Sequence, residues 1–97
     1  MYFFFLAFSF QQTERPLGRL HGLPISLKDS VNLAGLDTTL GLGRFVNQPA
    51  SEDALIVQLL KKQGAIFYAK SNIPQTLLSF ECSNPLHGRT LSPFNKK

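Results

Sequence analysis

Between Pro24 and Lys70 the hydrophobic period changes twice, and this restricts the available folds more than any other feature of the chain. Pro24-Ile25-Ser26-Leu27-Lys28-Asp29-Ser30-Val31 alternates, with Ile25, Leu27 and Val31 on one face and Ser26, Lys28 and Ser30 on the other. Period two marks a half-buried strand. Beyond a glycine-rich stretch, Asn32 to Gly43, the period lengthens: Leu55, Ile56, Leu59 and Leu60 recur at helical spacing and make a broad apolar stripe. Ser51 reads as the helix cap, with Glu52 and Asp53 in a first turn where carboxylates favour the exposed amide end. Lys61 and Lys62 fall in the last turn, and Gly64 stands where a left-handed closing residue is wanted. Ala65-Ile66-Phe67-Tyr68-Ala69-Lys70 follows at once as a short run of strand formers. Strand, loop, helix and strand in that order predict a βαβ crossover with parallel strands.

Two parallel strands do not complete a fold, because parallel sheets are larger and covered by helices on both faces. With 97 residues the chain has room for one small core, burying about 60 to 65% of what its unfolded form exposes. Charged residues are only 16%, low for a free-standing domain and in keeping with surface meant to be covered. The expected class is therefore α/β: a partial βαβ segment of a bigger layer, incomplete as a standalone fold. Elsewhere, Pro16, Gly18 and Gly22 suggest turns, QTLLSFEC after Pro74 suggests a short helix, Ser83-Asn84-Pro85 a turn, and Gly88 to Lys97 a loop.

Residues 1–14 stand apart from residues 15–97. MYFFFLAFSF is nearly unbroken in its apolar character, yet shorter than the roughly 20 residues that cross a bilayer. It has no basic residues ahead of the apolar run, as a secretory leader would. A gene-model artefact, a buried strand and an interfacial membrane anchor at residues 1–10 are the open explanations.

The net charge of +4 is spread over ten scattered basic residues. A surface that tracks phosphates needs clustered charge, so nucleic acid is not an expected partner. His21, His87 and Cys82 do not fall into metal-ligand spacing, so neither a metal nor a cofactor is expected. One unpaired cysteine favours a reducing, cytoplasmic setting. Gly41 and Gly43 lack the third glycine of a dinucleotide loop, since Val46 stands there, and there is no P-loop or GxSxG elbow. Glu52 and Asp53 read as helix-start residues, and Asp29 and Asp37 as strand-end or loop residues satisfied by backbone amides.

Lys28 poses the functional question. An edge strand can carry a lysine simply to discourage pairing with other chains. Three blocks point elsewhere: LHGLPISLKDSVNLAGLDTT, PASEDALIVQLLKKQGAIFYAKSNIPQ and SNPLHGRTLSPFN. Together they resemble the N-terminal part of the amidase signature family, in family order from about Arg15 to Asn95 and nearest to its eukaryotic general amidase branch. The resemblance implies a carbon-nitrogen hydrolase acting on a small-molecule amide through a Ser-cisSer-Lys mechanism, with Lys28 as the catalytic lysine. It places Leu77 and Leu78 near the acyl-binding region. Ser26 and Ser30 would support the lysine from the shared strand face, and Thr38 and Thr39 would lie in a loop able to face substrate. The family's glycine- and serine-rich block, which holds the bridging serine, matches none of Ser71, Ser79, Ser83 or Ser92. The expectation is a truncated fragment, inactive alone. The alternative is a non-catalytic truncated or pseudogene product, or a small binding protein.

Overall fold

A computed structural model describes residues 15–94; residues 1–14, and the anchor or artefact readings placed on them, lie outside the described residues. The expected crossover is present. Strand β1 (Pro24–Lys28) is followed by helix α1 (Leu55–Lys62) and strand β2 (Ile66–Ser71), and β1 pairs with β2 in parallel. A short antiparallel hairpin, β3 (Ser83–Asn84) and β4 (Gly88–Arg89), closes the described chain. Both sheets have two strands, so every strand keeps an open edge within the described residues. This is a partial α/β unit, as expected from the pattern.

The β1–β2 register is irregular. Ile25 stands beside Phe67 but Ser26 beside Ala69, so Tyr68 is bulged out. Neighbours across a parallel pair share a face, and a one-residue slip changes which side chains share it. The slip sets Lys70 beside Leu27 and Ser71 beside Lys28. On the helix-facing side, Leu27, Phe67 and the fully buried Val57 form the core, joined by Ile25, Val31, Leu33, Ala54 and Leu60.

Several local expectations are corrected. Alternation suggested a strand through Val31, but β1 ends at Lys28, where the Val31 amide donates to the Lys28 carbonyl across a turn (2.9 Å). The helix starts at Leu55, not after a Ser51 cap: Ala54 occupies the cap position and no side chain caps it. Asp53 is engaged elsewhere. Its Oδ1 accepts the Ala34 amide (2.8 Å) and its Oδ2 pairs with Lys61 (2.5 Å), tying the glycine-rich loop to the helix. The helix end matches the reading, with Lys61 and Lys62 in the last turn and Gly64 at φ +88°. After Pro74 only a single 3-10 turn forms, Gln75–Leu77; of the expected Ser83-Asn84-Pro85 turn, Ser83–Asn84 form β3 and Pro85 opens the turn, and of the expected loop from Gly88, Gly88–Arg89 form β4 while 90–94 are irregular.

The apolar stripe of α1 divides in a way that spacing alone did not reveal. Val57, not part of the stripe, is the residue at the centre of the core, with Leu60 beside it. Leu55, Ile56 and Leu59 are instead 70%, 54% and 49% exposed. No helix among the described residues is long and apolar enough to cross a membrane.

Candidate functional site

Lys28 is the last residue of β1 and is exposed. It opens into a groove of about 580 Å³. Ser26 and Lys28 come from β1, Ser71 and Asn72 from the end of β2, and Leu77, Ser79, Phe80 and Cys82 from the segment leading to the hairpin. Ser26 thus shares the Lys28 face. Ser30 lies in the turn after β1 and does not line the groove, because the strand stops two residues before it.

Leu77 and Leu78 part company here. Thr76 and Leu77 both have left-handed backbone, at φ 52° and 65°, a conformation costing an L-residue roughly 1–2 kcal/mol. Two bonds hold the kink: the Thr76 amide donates to the Leu40 carbonyl (2.8 Å) and the Leu77 amide to Pro74 (3.0 Å). Leu77 lines the groove, whereas Leu78 is 88% exposed and does not.

The opposite side of the strand end is built differently. Asp29 is buried, and its carboxylate is held by Lys70 Nζ (3.0 Å) and by the Thr39 hydroxyl (2.5 Å). Lys70 also donates to the Asp37 carbonyl (2.6 Å) and to Thr38 Oγ1 (2.8 Å). Asp29 is thus satisfied by side chains and not by the backbone amides that were expected. Thr38 and Thr39, read from sequence as able to face substrate, are used inside this cluster. A buried carboxylate persists as an ion only when paired and hydrogen-bonded in this way. The result is a β1 end fixed from behind by β2 and the glycine-rich loop, with Lys28 in front.

The groove's far wall is held by Asn72. Its Nδ2 donates to Gly88 O (3.1 Å) and Thr90 Oγ1 (2.9 Å), and its Oδ1 accepts from Asn84 Nδ2 (2.6 Å). Asn84 is buried and also caps the chain turn, accepting the amides of Leu86 and His87. Asn72 therefore shapes the strand exit by fastening the hairpin to β2. Among the described residues no group of three or more His, Cys, Asp or Glu is arranged to hold a metal ion.

Electrostatics distinguish the cations. Lys61, Lys70 and Arg89 each pair with a carboxylate, on Asp53, Asp29 and Glu81 respectively. Lys28, like Arg19, Arg44 and Lys62, has no such partner among the described residues, and of these four it is the one that lines the groove. Burial of Asp53 opposes its ionisation, but hydrogen bonds from Lys61 and the Ala34 amide, with the Lys61 charge, outweigh it and hold the carboxyl below its usual range.

Fold and groove together define an open α/β layer that presents one lysine among hydroxyl, amide and apolar side chains. Residues 7–97 match the family model described as Amidase. The chain is 45% identical over 83 residues to acetamidase from Emericella nidulans, covering 86% of this chain and 15% of that one. It is 47% identical over 77 residues to fatty-acid amide hydrolase 1 from Sus scrofa, covering 79% and 13%. The solved native peptide amidase of Stenotrophomonas maltophilia superposes with a TM-score of 0.63 at 31% identity, over 69% of this chain and 14% of that one. The chain belongs to the amidase family, a family of hydrolases acting on carbon-nitrogen bonds. It spans less than a fifth of the length of these relatives.

Proposed function

We propose that this chain is the lysine-bearing section of an amide hydrolase, and that Lys28 is the proton acceptor of a Ser-cisSer-Lys system. The observation that carries the reading is the contrast at the end of β1: Asp29 is pinned behind the strand by Lys70 and Thr39, while Lys28 enters an open groove without a carboxylate partner among the described residues. Lys61 and Lys70 are tied to carboxylates, and Lys62, which also has no carboxylate partner among the described residues, is an exposed residue of the last turn of α1; Lys28 alone of these four lysines lines the groove. Lysine suits proton transfer because its point charge responds readily to enclosure.

In this reading the nucleophilic serine attacks the carbonyl carbon of a small-molecule amide. Its proton passes through the bridging serine to the Lys28 amine, and the carbon-nitrogen bond breaks as the leaving nitrogen takes up a proton. Water then cleaves the acyl-enzyme. Neither serine is assigned to a residue of this chain, so the 97 residues alone do not turn over amides. Leu77, on the groove wall, is the side chain placed to meet the acyl portion; Leu78 is not.

The test is a chimera. Residues 15–94 replace the aligned segment of the Emericella nidulans acetamidase, chosen for its 45% identity. The chimera is expected to hydrolyse acetamide, and Lys28→Ala within it to lose about 100- to 10,000-fold in rate, the range for removal of a general base. A folded chimera whose Lys28→Ala variant keeps its rate would overturn the assignment.

A further inference from the structure

Strand β1 has one neighbour among the described residues, β2, and the residue beside Lys28 there is Ser71. That pairing depends on the bulge. With Tyr68 in register, Lys70 would stand beside Lys28, and two like charges directly opposite each other are destabilising. The slip gives the position to a hydroxyl and leaves Lys70 to Asp29.

Ser71 holds both peptide groups that flank Lys28. Its Oγ donates to the Leu27 carbonyl (3.3 Å), in the peptide unit before Lys28, and its own carbonyl accepts the Asp29 amide (3.2 Å), in the unit after it. A peptide unit is planar, so fixing the two units on either side of one Cα fixes the φ and ψ of that residue. The direction in which the Lys28 side chain leaves the strand is fixed with them. Lysine carries its amine on a flexible four-carbon stem, and the direction of the root decides where such a stem can reach. Ser71 also lines the groove that Lys28 enters. Its hydroxyl proton is engaged by the Leu27 carbonyl, which suits it to holding and not to relaying protons.

We propose that Ser71 is a positioning residue for Lys28, acting through the Leu27 carbonyl and the Asp29 amide to keep the root of the amine over the groove. The inference rests on the reading of Lys28 as proton acceptor, because misplacing a reacting group by about 1 Å can cost about 100-fold in rate.

Threonine and valine test it, since both favour strands and share a branched shape, but only threonine keeps the hydroxyl. In the intact 97-residue chain, Ser71→Val is expected to speed hydrogen exchange at the Asp29 amide about 2- to 10-fold over Ser71→Thr, the range for one lost hydrogen bond. In the acetamidase chimera, Ser71→Val is expected to lower kcat by at least that factor with the KM for acetamide unchanged, and Ser71→Thr to keep both. Equal exchange in the two variants would overturn the proposal by showing that the hydroxyl does not hold the strand end. A raised KM at constant kcat would overturn it in favour of a direct substrate contact, and a threonine variant as slow as the valine one in favour of packing. Loss of rate in Lys28→Ala with none in Ser71→Val sinks this proposal alone, whereas a Lys28→Ala chimera that keeps its rate removes the assignment of Lys28 and this inference with it.

Discussion

The Asp29 carboxylate lies 3.0 Å from the Lys70 ammonium, behind the strand whose next-to-last exposed position carries Ser26 and whose last carries Lys28. The last residue of the strand and the one that follows it thus serve opposite purposes: Asp29 locks the strand end, and Lys28 is left for the groove.

That lock predicts an asymmetric response to mutation. Lys70→Met leaves Asp29 buried without its cation, and breaking such a pair costs about 3–5 kcal/mol. Asp29→Asn with Lys70→Met removes both charges, so it is expected to cost less than the single change. Urea unfolding of the single and double variants measures the difference. Equal losses would mean that the pair contributes no coupling and that Lys70 acts only through Asp37 and Thr38.

Much of this arrangement was legible in the sequence, and the reasons for the rest are local. The crossover, the α1 end at Gly64 and the Lys28 strand followed from periodicity and closing signals that depend on a few adjacent residues. The Asp29–Lys70 pair did not. It requires the bulge at Tyr68, which brings Lys70 level with Leu27, and a continuous apolar run such as AIFYAK carries no alternation from which a bulge can be read. The false Ser51 cap has a similar origin: capping residues were present, but Asp53 makes better use of its oxygens on Ala34 and Lys61. Leu77 and Leu78 look equivalent until the left-handed pair at Thr76 and Leu77 sends one into the groove and the other to solvent.

Asp53 makes a prediction about acid. Its carboxyl is held below the usual range despite the opposing effect of burial, so the folded chain binds that proton less readily than the unfolded one. The stabilisation is therefore complete above the ordinary carboxylate range and is lost as pH falls through the lowered value. Asp53→Asn is expected to lower stability at neutral pH and to flatten the acid limb as pH falls through and below the ordinary carboxylate range, followed by thermal unfolding across an acid pH series. An unchanged acid limb would show that the Lys61 contact does not survive in solution.

The hairpin depends on one amide side chain. Asn72→Ala removes the donors to Gly88 and Thr90 and one of the two acceptors of the buried Asn84 amide, leaving only the Ile73 carbonyl. A buried donor that loses its partner costs about 1–3 kcal/mol. The loss is expected to appear as faster amide exchange at Leu86, His87 and Thr90, which donate to Asn84 Oδ1 and to the Cys82 carbonyl, with little change at Ile66 in β2. Uniform acceleration across both sheets would mean that the hairpin and the crossover open as one unit.

Two glycines separate backbone strain from collision. Gly35 (φ +83°) and Gly64 (φ +88°) are both left-handed, but a Cβ at Gly35 meets nothing within 4 Å, whereas at Gly64 it would stand 2.7 Å from His21 Cα. Gly35→Ala should therefore cost only the left-handed term, about 1–2 kcal/mol. Gly64→Ala adds a backbone collision that no side-chain rotation relieves, and it also disturbs the Gly22 amide bond to the Gly64 carbonyl (2.9 Å). It is expected to cost clearly more than Gly35→Ala and to loosen the segment from Gly18 to Leu23 that leads into β1. Matching denaturation midpoints for the two variants would mean that this segment yields freely, and that β1 does not need its anchor at the end of α1.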